Sequence, residues 1–283
     1  MGAILKVEFK RAFKNWRFLL MVLVGCLMAW MAFFNTRDCI LASRWRDYIN
    51  GHGDGYFADQ YNPMDVALEI WMPSNGSANK YFYMLIMFMP VLSAIPYGVS
   101  FLTDIKTGVV NQLAIRCKKR HYYAAKLITA FVSGGTVAVI PFIVNLIICM
   151  CYLPWGAPFY STALYSVSPR SVLAELYYTY PALYVLIYML HLFVMYGLLN
   201  CICLTFVYVE DNRFAVMLTP FILYYTSYII CRYIIGNGSK SLFGVANMIF
   251  FFKHAVVAIA IQMAVLVIVA AAFLIRIKKD VIY

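Results

Sequence analysis

Long apolar stretches separated by shorter polar segments dominate the chain. Six of them carry almost no charge and come close to or exceed the roughly 20 residues that a helix needs to cross a bilayer. They cover residues 18–34, 81–102, 127–153, 181–209, 214–235 and 255–275. The pattern predicts an all-α, polytopic integral membrane protein with six transmembrane helices. Kinks are expected inside these spans at Pro90, Pro96, Pro141 and Pro220.

Residues 1–17 precede this transmembrane domain of residues 18–283 and form an amphipathic pattern. Apolar side chains recur at helical spacing from Leu5 to Trp16, and basic side chains such as Lys6 and Lys10 fall largely on the other face. The pattern predicts an interfacial helix. Two interpretations stay open: a basic anchor that only determines topology, and a docking surface for a cytoplasmic partner.

Composition and charge agree with a membrane protein. The 283 residues are 64% hydrophobic and 12% charged, which a soluble domain of this size cannot accommodate. With the N-terminus in the cytoplasm, inner segments carry 15 of the 23 Lys and Arg and 5 of the 12 Asp and Glu, whereas outer segments carry 8 and 7. The distribution predicts a multi-pass protein of the cell membrane with both termini cytoplasmic. The net charge of +11 therefore indicates topology and docking to membrane lipids or a partner, and no nucleic acid.

The segment of residues 104–126 is longer and more regularly patterned than a simple connection between two spans requires. It begins at Asp104 and is broken at Gly108. An apolar helical stripe and a basic cluster follow, which include Val109, Val110, Leu113, Arg116, Lys118, Lys119 and Arg120. The pattern predicts a short helix parallel to the membrane that binds lipid head groups or docks a partner.

This arrangement resembles the permease subunits of type 2 ABC transporters. The resemblance lies in a basic amphipathic helix, a first span, an outer loop, and a second span followed by an acid, a glycine and a basic run. The matching residues are Phe101, Asp104, Gly108, Asn111, Leu113, Arg116, Arg120 and Lys126. In that family this segment is the coupling helix, which sits in a groove of the cytoplasmic ATPase and passes its motion to the spans. The resemblance implies cytoplasmic ATPase subunits that bind ATP and magnesium, and a second permease subunit.

The resemblance also assigns roles along the chain. The residues implied in ATPase coupling are Asp104, Gly108, Val109, Val110, Leu113, Arg116, Lys118, Lys119 and Arg120. The apolar stripe would seat in the ATPase groove, and the basic side chains would bind its acidic rims or lipid phosphate. Within residues 236–254, a run of 12 apolar residues is too short to cross. It matches the family's re-entrant element, and the alternative is an early start of the sixth span.

A few polar residues lie inside the predicted spans, where such groups tend to face the interior of the bundle. Asn145, His191, Asn200 and Gln262 are candidate pathway residues, and the alternative is that each forms hydrogen bonds that pack helices together. The predicted outer loop, residues 35–80, is mostly hydrophilic and is expected to cap the outer mouth. It contains no HExxH and no twelve-position calcium loop, so no metal site is predicted.

Nucleotide-binding and hydrolase motifs are missing from the sequence. Without GxxxxGK[ST] or GxSxG, the chain is expected to be no enzyme and to rely on ATP hydrolysis in a partner. We therefore expect the permease subunit of an ATP-driven exporter, with an apolar or amphipathic cargo such as a peptide, a drug or a lipid-like molecule. The alternatives are a secondary transporter or channel, and a membrane immunity or anchor protein. A membrane-embedded enzyme is less favoured.

Overall fold

Helices make up most of the described residues, in which no strand occurs. The computed structural model describes residues 2–49, 66–71, 80–110, 112, 119–157, 167, 173–236, 241–242, 244 and 256–275. Its helices are α1 (Gly2–Phe13), α2 (Trp16–Ile49), α3 (Ala67–Trp71), α4 (Lys80–Ala94), α5 (Ser100–Lys106), α6 (Lys119–Tyr152), α7 (Ala174–Thr179), α8 (Pro181–Phe206), α9 (Arg213–Ile229, extended by a π-helical turn, Ile230–Ile234) and α10 (Val256–Ile275). This confirms the all-α prediction.

Four helical segments are long and apolar enough to cross a membrane: Trp16–Cys39, Lys119–Tyr152, Pro181–Phe206 and Arg213–Ile234. They correspond to the first, third, fourth and fifth spans predicted from the sequence. Two further apolar segments, Lys80–Ala94 and Ala260–Phe273, are shorter. The part of the chain that the structure describes is therefore helical with four candidate membrane spans, and the count of six stays a prediction.

The second predicted span is interrupted. Helix α4 ends at Ala94, a turn covers residues 95–99, and α5 begins at Ser100. Pro96 explains the break, because it donates no backbone hydrogen bond and disfavours helical geometry in the preceding residue. Helices α4, α6 and α9 continue through their internal prolines Pro90, Pro141 and Pro220.

The N-terminal region has different boundaries from those predicted. Helix α1 ends at Phe13, not at residue 17, and α2 starts at Trp16. Asn15 sits between them, and its side-chain oxygen accepts a hydrogen bond from the backbone N–H of Arg17 at 3.2 Å, as N-cap residues do. Helix α2 then runs to Ile49, so the prediction of a loop from residue 35 is wrong for its first fifteen residues.

Helices α6 and α8 form the centre of the bundle and make its most extensive helix–helix contact. Glycines allow the close approach. A Cβ atom at Gly134 of α6 would lie 2.6 Å from Asn200 Cβ, and one at Gly197 of α8 would lie 2.7 Å from the Phe131 carbonyl oxygen. The Asn200 side-chain amide donates to the Ala130 carbonyl oxygen at 2.8 Å. Small residues and an interhelical hydrogen bond are typical of helix packing in membranes.

Candidate functional site

A group of charged and aromatic side chains, all buried except Arg11, joins α1, the α4–α5 turn, α5 and the start of α6. We call it the charge cluster, and it consists of Glu8, Arg11, Tyr97, Asp104, Tyr122 and Lys126. The exposed fractions of Glu8, Asp104 and Lys126 are only 4%, 1% and 0%. Charged side chains are almost never buried to this degree unless they are paired, so their contacts decide what the site can do.

Lys126 is the centre of the charge cluster. Its Nζ lies 3.0 Å from Glu8 Oε2 and 2.7 Å from Asp104 Oδ2. The same Nζ lies 5.1 Å from the ring centroid of Tyr97 and 5.7 Å from that of Tyr122. One ammonium group therefore bridges two carboxylates from different helices between two aromatic rings, an arrangement that stabilises a desolvated cation.

The remaining contacts complete the partners of both carboxylates. The Tyr97 hydroxyl donates to Glu8 Oε2 at 2.6 Å, and the Tyr122 hydroxyl donates to Asp104 Oδ2 at 2.6 Å. Arg11 Nη1 donates to Asp104 Oδ1 at 2.6 Å. Each carboxylate thus accepts a hydrogen bond from a cation and from a phenol, and charge-assisted bonds of this kind are the strongest in proteins.

The charge cluster is electrically balanced, with two acids and two bases. Burial is the largest effect on Asp104 and opposes its ionisation. The charge of Lys126 and the hydrogen bonds from Lys126, Tyr122 and Arg11 together outweigh this effect of burial. They hold the pKa of the Asp104 carboxyl below its ordinary value. Asp104 is therefore an anion at neutral pH, and the charge cluster is a set of ion pairs rather than a shared proton site.

The sequence of α1 explains why Glu8 faces the bundle. On α1, Glu8 follows Leu5 by three residues and precedes Ala12 by four, so it lies on the apolar face. Ala12 is fully buried, and this face packs against α6. The exposed side chains of α1 and the turn after it include Lys6, Lys10 and Lys14. The acid therefore points inward while most of the bases point outward.

An aromatic group lies beside the charge cluster and extends it to two further helices. The Phe101 ring of α5 packs edge-on against Tyr123 of α6 at 5.5 Å, Tyr208 after α8 at 5.8 Å and Phe273 of α10 at 5.0 Å between centroids. Lys106 Nζ donates to the Asp211 carbonyl oxygen at 2.5 Å. Helix α5 thereby contacts α1, α6, the α8–α9 connection and α10.

The residues predicted for ATPase coupling are only partly described. Asp104 is buried in the charge cluster, and α5 ends in a turn at Gly108, whose φ of +71° favours glycine. Val109 and Val110 are helical and half-buried, Lys119 begins α6, and Arg120 is exposed. Leu113, Arg116 and Lys118 lie outside the described residues. So does most of the candidate re-entrant element, residues 236–254.

The four candidate pathway residues differ in their burial and in their hydrogen bonds. Asn200 joins α8 to α6, as described above, and is fully buried. Asn145 is also buried, and its oxygen accepts a 3.4 Å hydrogen bond from Cys149 Sγ within α6. His191 on α8 and Gln262 on α10 are half-buried. Asn200 thus has the helix-packing role that the alternative interpretation predicts for it.

A second buried group, far along α6 from the charge cluster, forms around the short helix α3. We call it the aromatic cluster, and it consists of Trp71, Phe142, Tyr177, Tyr184 and Tyr188. The Trp71 indole N–H donates to the Phe142 carbonyl oxygen at 3.1 Å, and the Trp71 ring lies 5.9 Å from that of Tyr188, edge-on. All five side chains are fully buried. Sixteen residues of α6 separate Lys126 from Phe142, a rise of about 24 Å.

Sequence reasoning missed Glu8, Tyr97 and Trp71, although two of them carry a signal. Glu8 is the only acid in a basic helix and lies on its apolar face. Trp71 ends a run, VALEIW, that is apolar except for Glu69, inside an otherwise hydrophilic stretch. Such inward-facing acids and isolated apolar runs indicate buried partners. Tyr97 carries no comparable signal, because tyrosine is abundant along the whole chain.

Comparison with known proteins adds no relatives to this picture: no family model, curated protein or solved structure matches the chain. Within the described residues, no three His, Cys, Asp or Glu side chains come together as metal ligands do. The site is therefore defined by its own contacts, in a protein whose described residues include four helices long and apolar enough to cross a membrane.

Proposed function

We propose that the chain is the permease subunit of an ATP-driven exporter of the type 2 ABC class, which moves an apolar or amphipathic cargo across the cell membrane. Two copies, or one copy and a related subunit, form the pathway, and separate cytoplasmic subunits hydrolyse ATP. Both termini and the segment of residues 104–126 face the cytoplasm. The observation that carries this proposal is the 2.7 Å ion pair between Asp104 and Lys126.

That ion pair joins the two ends of the predicted coupling segment. Asp104 lies near the end of α5 and Lys126 near the start of α6, so the ion pair ties these two helices together at the ends of the segment. A force on a segment whose ends are untied is absorbed by bending of the segment. A force on a segment whose ends are tied moves both attached helices, here α5 and α6.

The contacts of the charge cluster and of Phe101 provide a route for this movement. Glu8 ties α1 to Lys126, and Phe101 packs against α10 through Phe273. Packed side chains and ion pairs with discrete arrangements are the physical means by which distant sites are coupled. Closure of the ATPases on ATP would thus tilt several helices together and change access to the pathway.

The exposed bases supply a surface for the partner. Lys10, Lys14 and Arg120 are exposed near the charge cluster, whereas Arg11 and Lys126 are used within it. Exposed bases of this kind can pair with acidic residues of an ATPase or with phosphates of the inner leaflet. Such exposed charge pairs raise the rate at which the partner associates more than they raise its final affinity.

Co-purification tests the proposal. The tagged chain, extracted from its native membrane, should retain a protein with a Walker A motif and show ATP hydrolysis that orthovanadate inhibits. The triple variant R116Q/K118Q/R120Q should lose both. A matched triple variant on the predicted outer side, R37Q/K80Q/R232Q, should keep both. Purification without any ATPase, under conditions where the chain stays folded, would overturn the proposal.

One observation favours a second candidate, an ion-coupled carrier. Such carriers need buried ionisable residues, and Glu8, Asp104 and Lys126 are buried. Their mutual pairing at a helix end argues against it, because each carboxylate is neutralised by a protein cation and not left for a transported ion. Uptake or release of cargo in ATP-free vesicles, driven by a pH or sodium gradient, would favour the carrier over the exporter.

A further inference from the structure

Helix α3 fills the bundle at the end opposite to the charge cluster. The Ala67 N–H donates to the Pro154 carbonyl oxygen at 3.1 Å, just after α6 ends. The Tyr177 hydroxyl donates to the Leu68 carbonyl oxygen at 3.4 Å. Together with the bond from Trp71 to Phe142, these contacts attach both ends of the five-residue helix to its surroundings. Trp71 is thus inserted between α6 and α8 as a large, fully buried side chain.

Two hydroxyl groups under α3 have no hydrogen-bond partner among the described residues: those of Tyr184 and Tyr188. Both side chains are 0% exposed. The two tyrosines are four residues apart on α8 and therefore lie on the same face. Buried polar groups are nearly always hydrogen-bonded, and an exception needs an explanation. One explanation is that these hydroxyl groups form hydrogen bonds only in another conformation of the protein.

The neighbours of these tyrosines connect them to α3. The Tyr188 ring contacts Trp71 at 5.9 Å and Phe142 at 6.2 Å, and the Tyr184 ring contacts Tyr177 at 5.0 Å. Removing α3 would take away Trp71 and the Leu68 carbonyl that Tyr177 uses. Water would then reach a surface made of aromatic faces and three hydroxyl groups.

We propose that α3 is a plug of the cargo pathway, and that Tyr184 and Tyr188 line the passage that it closes. This inference rests on the proposed function for the identity of the passage. With α3 seated, Trp71 excludes water and the hydroxyls stay without partners. With α3 displaced, the hydroxyls bind water or the polar group of an amphipathic cargo, while the rings pack against the apolar part of that cargo.

Site-specific labelling of whole cells tests the plug without ATP, partner or cargo. Position 188 is changed to cysteine (Y188C), and cells are treated with a charged, membrane-impermeant maleimide. Peptide mass spectrometry then gives the labelled fraction of each cysteine. Position 188 should stay unlabelled while α3 is intact, and its labelling should rise severalfold in the double variant W71A/Y188C.

A second variant covers the case in which W71A does not fold. Ala67→Pro removes only the N–H that attaches α3 to Pro154, at the first helical position, where proline is tolerated. It should also raise labelling at position 188. Cys201 and Cys203, deeper on the same helix and buried, are internal controls that stay unlabelled in a folded bundle.

The labelling results test the plug independently of the proposed permease function. Labelling at position 188 that depends on Trp71 or Ala67, with Cys201 and Cys203 protected, supports the plug. Equal labelling with and without these anchors, or no labelling in any folded variant, overturns it. The permease proposal is tested by co-purification of an ATPase, so either proposal can fail while the other stands.

Discussion

The two ends of α6 are buried by opposite means. At its start, the charge cluster pairs every carboxylate with cations and phenols at 2.6 to 3.0 Å. Toward its other end, the aromatic cluster packs edge-on rings and leaves the Tyr184 and Tyr188 hydroxyls without partners among the described residues. The carboxylates and Lys126 at one end and the aromatic rings at the other are all buried, so burial of these side chains does not distinguish the two ends.

The difference indicates that the charge cluster holds its end of the bundle in one arrangement, whereas the aromatic cluster allows its end to open. Directional bonds between buried charges hold helices in one arrangement, because separating them leaves bare charges in an apolar medium. Aromatic contacts are less directional, and buried polar groups that lack partners destabilise the closed arrangement relative to one in which they are hydrogen-bonded. We therefore expect the charge cluster to move as a unit and the aromatic cluster to come apart.

Replacing Lys126 by methionine (K126M) gives the largest expected effect. It leaves Glu8 and Asp104 buried without their shared cation, and breaking a buried pair in this way costs about 3–5 kcal/mol. The free energy of unfolding, from SDS titration in mixed micelles, measures the loss. The matched control is K10M on the exposed face of α1. Equal stability of the two variants would show that the charge cluster does not hold the helices together.

Protonation of Asp104 should have a smaller effect, since it removes the charge and keeps the side chain. The folded-state pKa of Asp104 is below its ordinary value. Its stabilising contribution is therefore complete above the unfolded pKa of about 3.9 and is lost as pH falls through the lower folded-state pKa. Thermal melts at decreasing pH should show this acid loss in the native protein but a weaker one in D104N, and parallel acid profiles would contradict the assignment.

A tyrosine-to-phenylalanine substitution in each cluster removes one hydroxyl group and allows their contributions to stability to be compared. Y122F deletes a 2.6 Å bond to the Asp104 carboxylate and should destabilise the fold by about 1.5–3 kcal/mol. Y188F deletes a hydroxyl without a described partner and should be neutral or stabilising by up to about 1 kcal/mol. The SDS titration gives both values, and effects of the same sign and size would erase the difference between the two ends.

Hydropathy alone predicts most of the fold, because spans are determined by composition over about 20 residues. The stretches that became α2, α6, α8 and α9 are visible as uncharged runs. What hydropathy could not predict is the division of the second span at Pro96, since membrane helices often continue through proline, as α6 does at Pro141. Nor does it predict α3, whose five residues are too few for a periodic pattern.

The candidate site was only half predictable. Asp104 and Lys126 stand out as an acid and a base at the two ends of a patterned segment. Their partners do not, because Glu8 is 96 residues from Asp104 and no local spacing connects them. Arg11 is one of several basic residues of α1, and nothing in its local sequence shows that it reaches Asp104. Long-range pairing of charges needs the tertiary fold.

Hydrogen–deuterium exchange with mass spectrometry, performed on K126M beside the native protein, tests most directly whether the charge cluster joins α1, α5 and α6 into one unit. We expect faster exchange in both α1 and α5 of K126M, while α3 exchanges as in the native protein. Faster exchange confined to the residues beside position 126, with α1 and α5 as protected as before, would contradict it.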